Sequence, residues 1–352
     1  MAFDDVINRP DASALIPIEQ AREIIQLLPQ TSVALRLARR APNMSAHQRQ
    51  VPVLSVLPMA YFVNGGDGGL KQTTKTGWEG LMLTAEEIAV IVPIHENVLN
   101  DSAYPLWQEI RPQIAAAIGL TLDQAVFFGT SKPPSWPNSV DQGARAALPA
   151  NSMVITRGAN NPADKGGISG DLSDLYSAVE RKGYEVSGLL LNPIYRGFIR
   201  QARNTLGDQL SELLSGDVYG FEPTYGLRGG WASGANSTEG FAGDFGQMII
   251  AIREDMDWLI SREAVITNAQ NEIVLNLFQA DSVALRVKFR VAMQISQPVT
   301  PEARVKANRY PFAVIQGTGA VGELDAEADE DAEAADAEEE ETASSGSRGR
   351  KR

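Results

Sequence analysis

The strictest alternation in the chain comes late. Val283, Leu285, Val287, Phe289, Val291, Met293 and Ile295 alternate with Ala284, Arg286, Lys288, Arg290, Ala292, Gln294 and Ser296. A period of two predicts one strand with an apolar face and a largely polar, basic face. A second signal recurs at steps of three or four: Leu106, Ile110, Ile114, Ala117, Thr121, Ala125 and Phe128, widened by Ile118, Leu122 and Phe127. It predicts an amphipathic helix over 102–128, capped by Asp101 or Ser102, with Pro105 in its first turn and Gly129 as its stop. Such a helix would run to ~40 Å, and Pro112 predicts a kink or split in it. The strand's apolar face is expected to lie on the helix's stripe. Its basic face suits nucleic acid, or solvent and neighbouring subunits.

Earlier in the chain, Ile18–Leu28 reads as a short helix, and Thr31–Arg40 as another with Arg36, Arg39 and Arg40 on one side. Those arginines suit a polyanion, or a solvated face with inter-chain ion pairs; three are a weak signal for the first. Val51–Val63 is extended, but Pro52 and Pro58 bar it from a central strand position. Trp78–Pro93 returns as a strand. Between them, Asn64–Gly69 reads as a hairpin tip, because a phosphate loop needs a Gly-Lys-Ser/Thr ending before a helix. The arm and this ribbon are both poor in core-forming mass, so each is expected to lie on something else. Further on, 132–149 and 156–170 read as connections. Asp171 is expected to cap a helix to Lys182 with Leu172, Leu175 and Val179 on its face. A strand over Val186–Leu191 and a helix from Pro193 follow. Residues 205–246 read mostly as glycine-rich loop, with a hairpin at Asp217–Tyr225 and short strands at Met248–Ile252 and Asp257–Ile260. This order predicts an α+β fold with a domain inserted after the long helix.

Charge changes the picture only at the end of the chain. Residues 322–341 hold 12 acidic residues and no base, while Arg348, Arg350, Lys351 and Arg352 close the sequence. The remaining 32 acidic and 27 basic residues leave residues 1–321 only mildly acidic. The acidic block offers little apolar area and is expected to be disordered. With no cysteine, disulfide scaffolds and thiolate metal sites are excluded, and a reducing compartment fits. No signal peptide or membrane span is expected. Of the two histidines, His47 and His95, neither has a partner for a metal site, and no Gly-x-Ser-x-Gly elbow is present. Glu86-Glu87 and Asp255-Asp257 read as solvated charges rather than acid–base pairs. A hydrolase or nucleotide-binding enzyme therefore lacks its residues; no catalytic, cofactor or metal site is expected.

The segments ALIPIEQAREI, the loop from Val51 to Trp78, EEIAVIVPIHENVLNDS, LLLNPIYRGFIRQARN, GFEPTYG, the GDF at Gly243–Phe245 and FQADSVALRVKFRVAMQISQP stand in a telling order. Together, over roughly residues 10–300, they resemble the major capsid proteins of tailed double-stranded DNA bacteriophages, the HK97-like capsid fold. The resemblance implies an N-terminal arm over 1–46, an extended two-stranded loop over 47–82, and a peripheral domain over 83–170 and 277–318 with the spine helix 102–128 and a sheet. It also implies an inserted axial domain over 171–276, followed by the acidic tail, 319–352. The function implied is self-assembly as hexamers and pentamers into an icosahedral head that encloses DNA without sequence specificity. Partners would be copies of the chain, with scaffold, protease, portal and decoration proteins beside them and no membrane. The chain would be assembled in the host cytoplasm and reside in the virion. An encapsulin-type bacterial nanocompartment of the same fold is the alternative; the long arm and loop favour the phage. Relatives that weld subunits by an isopeptide bond use a loop lysine, an asparagine acceptor and a carboxylate. Lys71 and Lys75 lie in the corresponding loop, but Asp281 falls at the acceptor and Lys288 at the carboxylate. The resemblance thus implies a shell without this crosslink. It also implies a separate scaffold protein, since no long N-terminal scaffolding region is seen.

Overall fold

A computed structural model describes residues 32–318, apart from 61, 63–70, 72, 102–105, 163–165, 203–216, 228–229, 233–235, 268–269 and 271. The helix expected at Ile18–Leu28, the glycine tip and the acidic tail lie outside the described residues. In chain order the elements begin with α1 (Val33–Leu37), β1 (Arg39–Arg40), β2 (Gln48–Val56), β3 (Gly77–His95), α2 (Glu96–Asp101) and α3 (Leu106–Phe127). Then come α4 (Val140–Ala146), β4 (Val154–Thr156), α5 (Gly167–Glu180), β5 (Gly188–Leu191), α6 (Tyr195–Gln201), β6 (Pro223–Tyr225) and β7 (Thr238–Gly243). The last are β8 (Met248–Ser261), β9 (Val265–Thr267), β10 (Ile273–Asn276), β11 (Ser282–Ile295) and β12 (Phe312–Gln316). The chain divides into a larger unit (residues 30–91, 114–259 and 286–352) and a smaller one (1–29, 92–113 and 260–285), with borders inside β3, α3, β8 and β11.

The first sheet has the order β1-β8-β11-β3-β2. Strand β11 is the alternating segment, and Val283, Leu285, Val287, Phe289, Val291, Met293 and Ile295 are all buried. In the larger unit, Phe289 faces a small cavity with Met256 and with Ile118 and Leu122 of α3, so the strand's apolar face does look to the helix. Strand β2 carries Pro52 and lies at the sheet edge, where a missing N–H does no harm. It pairs antiparallel with β3 from Gln48↔Thr84 to Val56↔Gly77. The ribbon is therefore not an isolated pair: its base continues the sheet through β11.

Several expectations need correction. Helix α3 starts at Leu106 and runs through Pro112 without a break, so the proline forgoes one helical bond but does not end the helix. Its buried side centres on Ile114, Ile118, Leu122, Ala125 and Val126, while Ala117 and Thr121 are exposed. The run AAAIGLTL is apolar nearly all round, and periodicity alone could not choose the face. Arg39 and Arg40 are extended, parallel to Ile249 and Ile250 of β8, and only Arg36 lies on α1. Met248–Ser261 is a single strand rather than two. Asp171 sits inside α5, not at its start, and its carboxylate accepts from the Gly158 N–H (2.8 Å) and Asn161 Nδ2 (3.2 Å). Helix α4 lies within an expected connection; Ser139 and Gln142 form a reciprocal capping box that the sequence does carry as S-x-x-Q.

The second sheet has the order β4-β12-β7-β5-β6, and its strands β4 and β12 come from ranges expected in the peripheral domain. Helix α5 buries Leu172, Leu175 and Val179, as its pattern predicts. Strand β7 replaces part of the loop expected over 205–246: TEGFAG reads as loop, yet all six of its residues are buried. Its glycines serve close approach rather than turns. A Cβ at Gly243 would stand 2.4 Å from the Pro311 carbonyl oxygen and 2.9 Å from the Phe312 Cα. Backbone cannot swing aside as a side-chain tip can, so Gly243→Ala is expected to cost about 1–3 kcal/mol and to lower the melting temperature measurably. An unchanged Tm would mean that β12 can shift freely. Buried Glu239 of β7 accepts from Tyr195 Oη (2.8 Å) and pairs with Arg157 (3.0 Å), pinning the sheet to α6 and to the turn after β4.

In the smaller unit, β9 and β10 form an antiparallel hairpin. The Glu96 N–H donates to the Asp281 carbonyl (2.8 Å), and Leu277 is fully buried.

Candidate assembly interface

The arm enters the larger unit through one carboxylate. Asp123, on the buried side of α3, accepts from Ser32 Oγ (2.6 Å), Val33 N (2.8 Å) and Ala34 N (2.9 Å). These amides open α1, where no preceding helical carbonyl can serve them, and the Ser32 hydroxyl also caps Leu35 N. Burial pushes the Asp123 carboxyl above its ordinary value, while the three hydrogen bonds and Arg36 pull against that shift. No periodicity links residues 31–40 with residues 102–128. An Asp inside an apolar run is the signal that could have joined them.

Among the described residues, the two most exposed large apolar side chains of the larger unit stand on the ribbon. Phe62 is 102% exposed and Trp78 70%, with Val56, Met59 and Met82 also exposed. In the smaller unit, Phe278 is 75% exposed and Ile273 68%, beside exposed Val265 and Val274. Scattered exposed apolar residues are ordinary, but these gather on a ribbon and on a hairpin. Each large side chain buried against another surface would contribute ~1.5–3 kcal/mol.

The basic face of β11 is largely engaged within its own sheet. Lys288 pairs with Glu254 (2.8 Å) and Asp257 (3.5 Å) of β8, and Arg290 with Glu87 of β3 (3.9 Å). Gln294 Nε2 donates to the Met82 carbonyl. Glu87 and Asp257 are thus cross-strand partners, not merely solvated charges, and Glu86 accepts from Ser135 Oγ (2.6 Å). At the corresponding crosslink positions, Lys288 is held by two acids, while Asp281 takes a left-handed backbone conformation (φ 43°). His47 is exposed, and His95 Nδ1 accepts from Asn97 N at the start of α2. Among the described residues no three His, Cys, Asp or Glu side chains gather as a metal site would require, and no helix is long and apolar enough to cross a membrane.

A long helix, a five-stranded sheet with the β2–β3 ribbon at its edge, a second five-stranded sheet and an α1 held to the long helix by Asp123 define a protein of the HK97-like α+β capsid class. The model of the phage capsid family matches residues 12–303, and the chain belongs to that family. It is 24% identical over 301 residues to the major capsid protein of Staphylococcus phage 80alpha, covering 83% of this chain and 85% of that one. A structure from Microbacterium phage Oxtober96 is 34% identical with a TM-score of 0.74, covering 89% of this chain and all of that one. Another, from Mycobacterium phage Bobi, is 28% identical with a TM-score of 0.75, covering 90% of this chain and 100% of that one. The function of the chain is that of a phage major capsid protein, a structural component of the virion, and these relatives favour that reading over the encapsulin alternative.

Proposed function

We propose that copies of this chain assemble as hexamers and pentamers into an icosahedral head around double-stranded DNA. The arm (1–46) and extended loop (47–82) lie over adjacent copies. The second sheet, with α5 and α6, forms the axial domain at capsomer centres. The observation that carries this reading is the exposure of Phe62 and Trp78 on the ribbon and of Phe278 and Ile273 in the smaller unit, on a fold shared with phage capsids. DNA contact is sequence-independent, made to phosphates rather than to base edges; Lys288 and Arg290 of the basic strand already have acidic partners. The chain acts by assembly rather than catalysis; scaffold, protease, portal and decoration proteins are its expected partners during assembly in the host cytoplasm. Electron microscopy of particles purified from infected cells, with nucleic-acid extraction, tests this. Closed shells holding genome-length duplex support it, and shells holding an enzyme cargo sink it.

The subunits of those shells are not welded. Fully denatured mature particles are expected to run as monomers near 38 kDa. An ionised carboxylate at 281 is a poor acyl acceptor, and an ammonium at 288 cannot abstract a proton. A ladder of covalent oligomers would show that another lysine and acceptor have taken over.

A further inference from the structure

Arg309 lies between a 3-10 turn at Lys306–Asn308 and β12, and it is 4% exposed. Its Nε and Nη1 are buried and meet no acceptor among the described residues. A guanidinium does not shed its proton, so neutralisation cannot relieve this burial; an acceptor must, and an anion matches the charge best. Arg309 lines a cavity of about 360 Å³ together with Asn138, Gln294, Gln297 and Tyr310. Lys306 and Glu79 also line it and pair with each other, which leaves Arg309 as the charged lining residue without a charged partner. Asp244 and Arg309 act in opposite directions on the Tyr184 hydroxyl, but no ion pair joins the two, and the Asp244 carboxylate is turned to other donors. Gly246 N donates to Oδ1 (3.0 Å) and Gln247 Nε2 to Oδ2 (2.9 Å).

We propose that this cavity is a carboxylate-binding site, and that its occupant is an Asp or Glu from residues 322–341 of the chain. A carboxylate presents two oxygens to a guanidinium fork, and the volume suits one side chain rather than a duplex. The block supplies 12 carboxylates without a single base, from the only stretch of the chain with so unbalanced a charge. Reach is no obstacle. The described chain ends at Thr318, and a chain spans at most ~3.3–3.6 Å per residue. An acid at Asp329 or later can therefore return to the cavity even if 309–318 were fully extended. Tethering also holds these carboxylates at a millimolar-scale effective concentration.

The test compares thermal unfolding of the full chain with that of a chain ending at Ala320, each with and without Arg309→Met. Sodium acetate is the probe, and sodium chloride at equal ionic strength is the control. Truncation is expected to lower Tm by about 3 °C, and ~50 mM acetate to restore most of that loss. Neither effect should appear in the Arg309→Met background. Should that variant fail to fold, Arg309→Gln takes its place, and the acetate titration of the truncated wild-type sequence needs no substitution. If acetate stabilises the full and truncated chains alike and truncation changes nothing, a free anion fills the cavity and the acidic block is overturned as occupant. If neither truncation nor acetate moves Tm, there is no carboxylate site.

Discussion

A chain carrying Ile273→Asp and Phe278→Asp is expected to fold normally and to fail to close into shells. Both side chains stand in solvent, at 68% and 75% exposure, so their loss removes little from the folded subunit. In a shell they would be buried against another copy. Each would then forfeit ~1.5–3 kcal/mol of burial, and each introduced carboxylate would have to be desolvated in addition. The loss recurs at every copy, so the yield of closed particles is expected to fall by an order of magnitude or more, since about 1.4 kcal/mol per contact is already tenfold. Gradient sedimentation and electron microscopy read the yield, and circular dichroism confirms an unchanged fold. Leu277→Ala is the contrasting control. That side chain is fully buried between these exposed neighbours, and its truncation is expected to cost ~2–5 kcal/mol of subunit stability. Wild-type shells from the double aspartate variant would remove the hairpin from the interface.

What the sequence made legible was whatever has a period. The β11 alternation, the edge position of a proline-bearing β2 and the apolar face of α5 at Leu172, Leu175 and Val179 follow from local rules, because each buries one face against one neighbour. What escaped was set by close approach or by distant partners. Strand β7 needs glycines at 240 and 243 because neighbouring side chains and backbone leave no room for a Cβ, and a glycine-rich string reads as loop. The basic face of β11 stays open between nucleic acid, solvent and neighbouring subunits in the sequence because its partners, Glu87, Glu254 and Asp257, lie on strands far off in the chain. Arg309 gives no sequence signal at all; what marks it is burial without a hydrogen-bond acceptor, which Arg157 and Arg290 share, together with the lack of an ion pair such as theirs among the described residues. The family resemblance supplied the arrangement that pattern could not, from the order of segments that are individually weak.

Asp123→Ala is expected to be the most damaging single change to the arm. The carboxylate serves Ser32 Oγ and the Val33 and Ala34 amides at once, all in buried surroundings. Removing it leaves three donors without an acceptor, a loss of ~3–5 kcal/mol by the scale of broken buried charged networks, or very roughly 6–15 °C in Tm. Ser32→Ala removes one of those donors and the cap on Leu35, so it should cost only ~1–2 kcal/mol. The two changes share a partner, so the double variant should fall short of their sum. The pH dependence gives an independent reading. Burial holds the folded carboxyl above its unfolded value. Its contribution is therefore complete below the unfolded pKa, near 3.8, and is lost as pH rises through the folded value. The Tm difference between wild type and Asp123→Ala should accordingly be widest near pH 4 and narrow toward neutrality. Trypsin supplies the structural readout: with the staple gone, cleavage after Arg36, Arg39 and Arg40 should quicken before the rest of the subunit is cut. A variant with wild-type Tm and an unchanged cleavage rate at those arginines would mean that the arm is held by packing alone, and that the Asp123 hydrogen bonds merely accompany it.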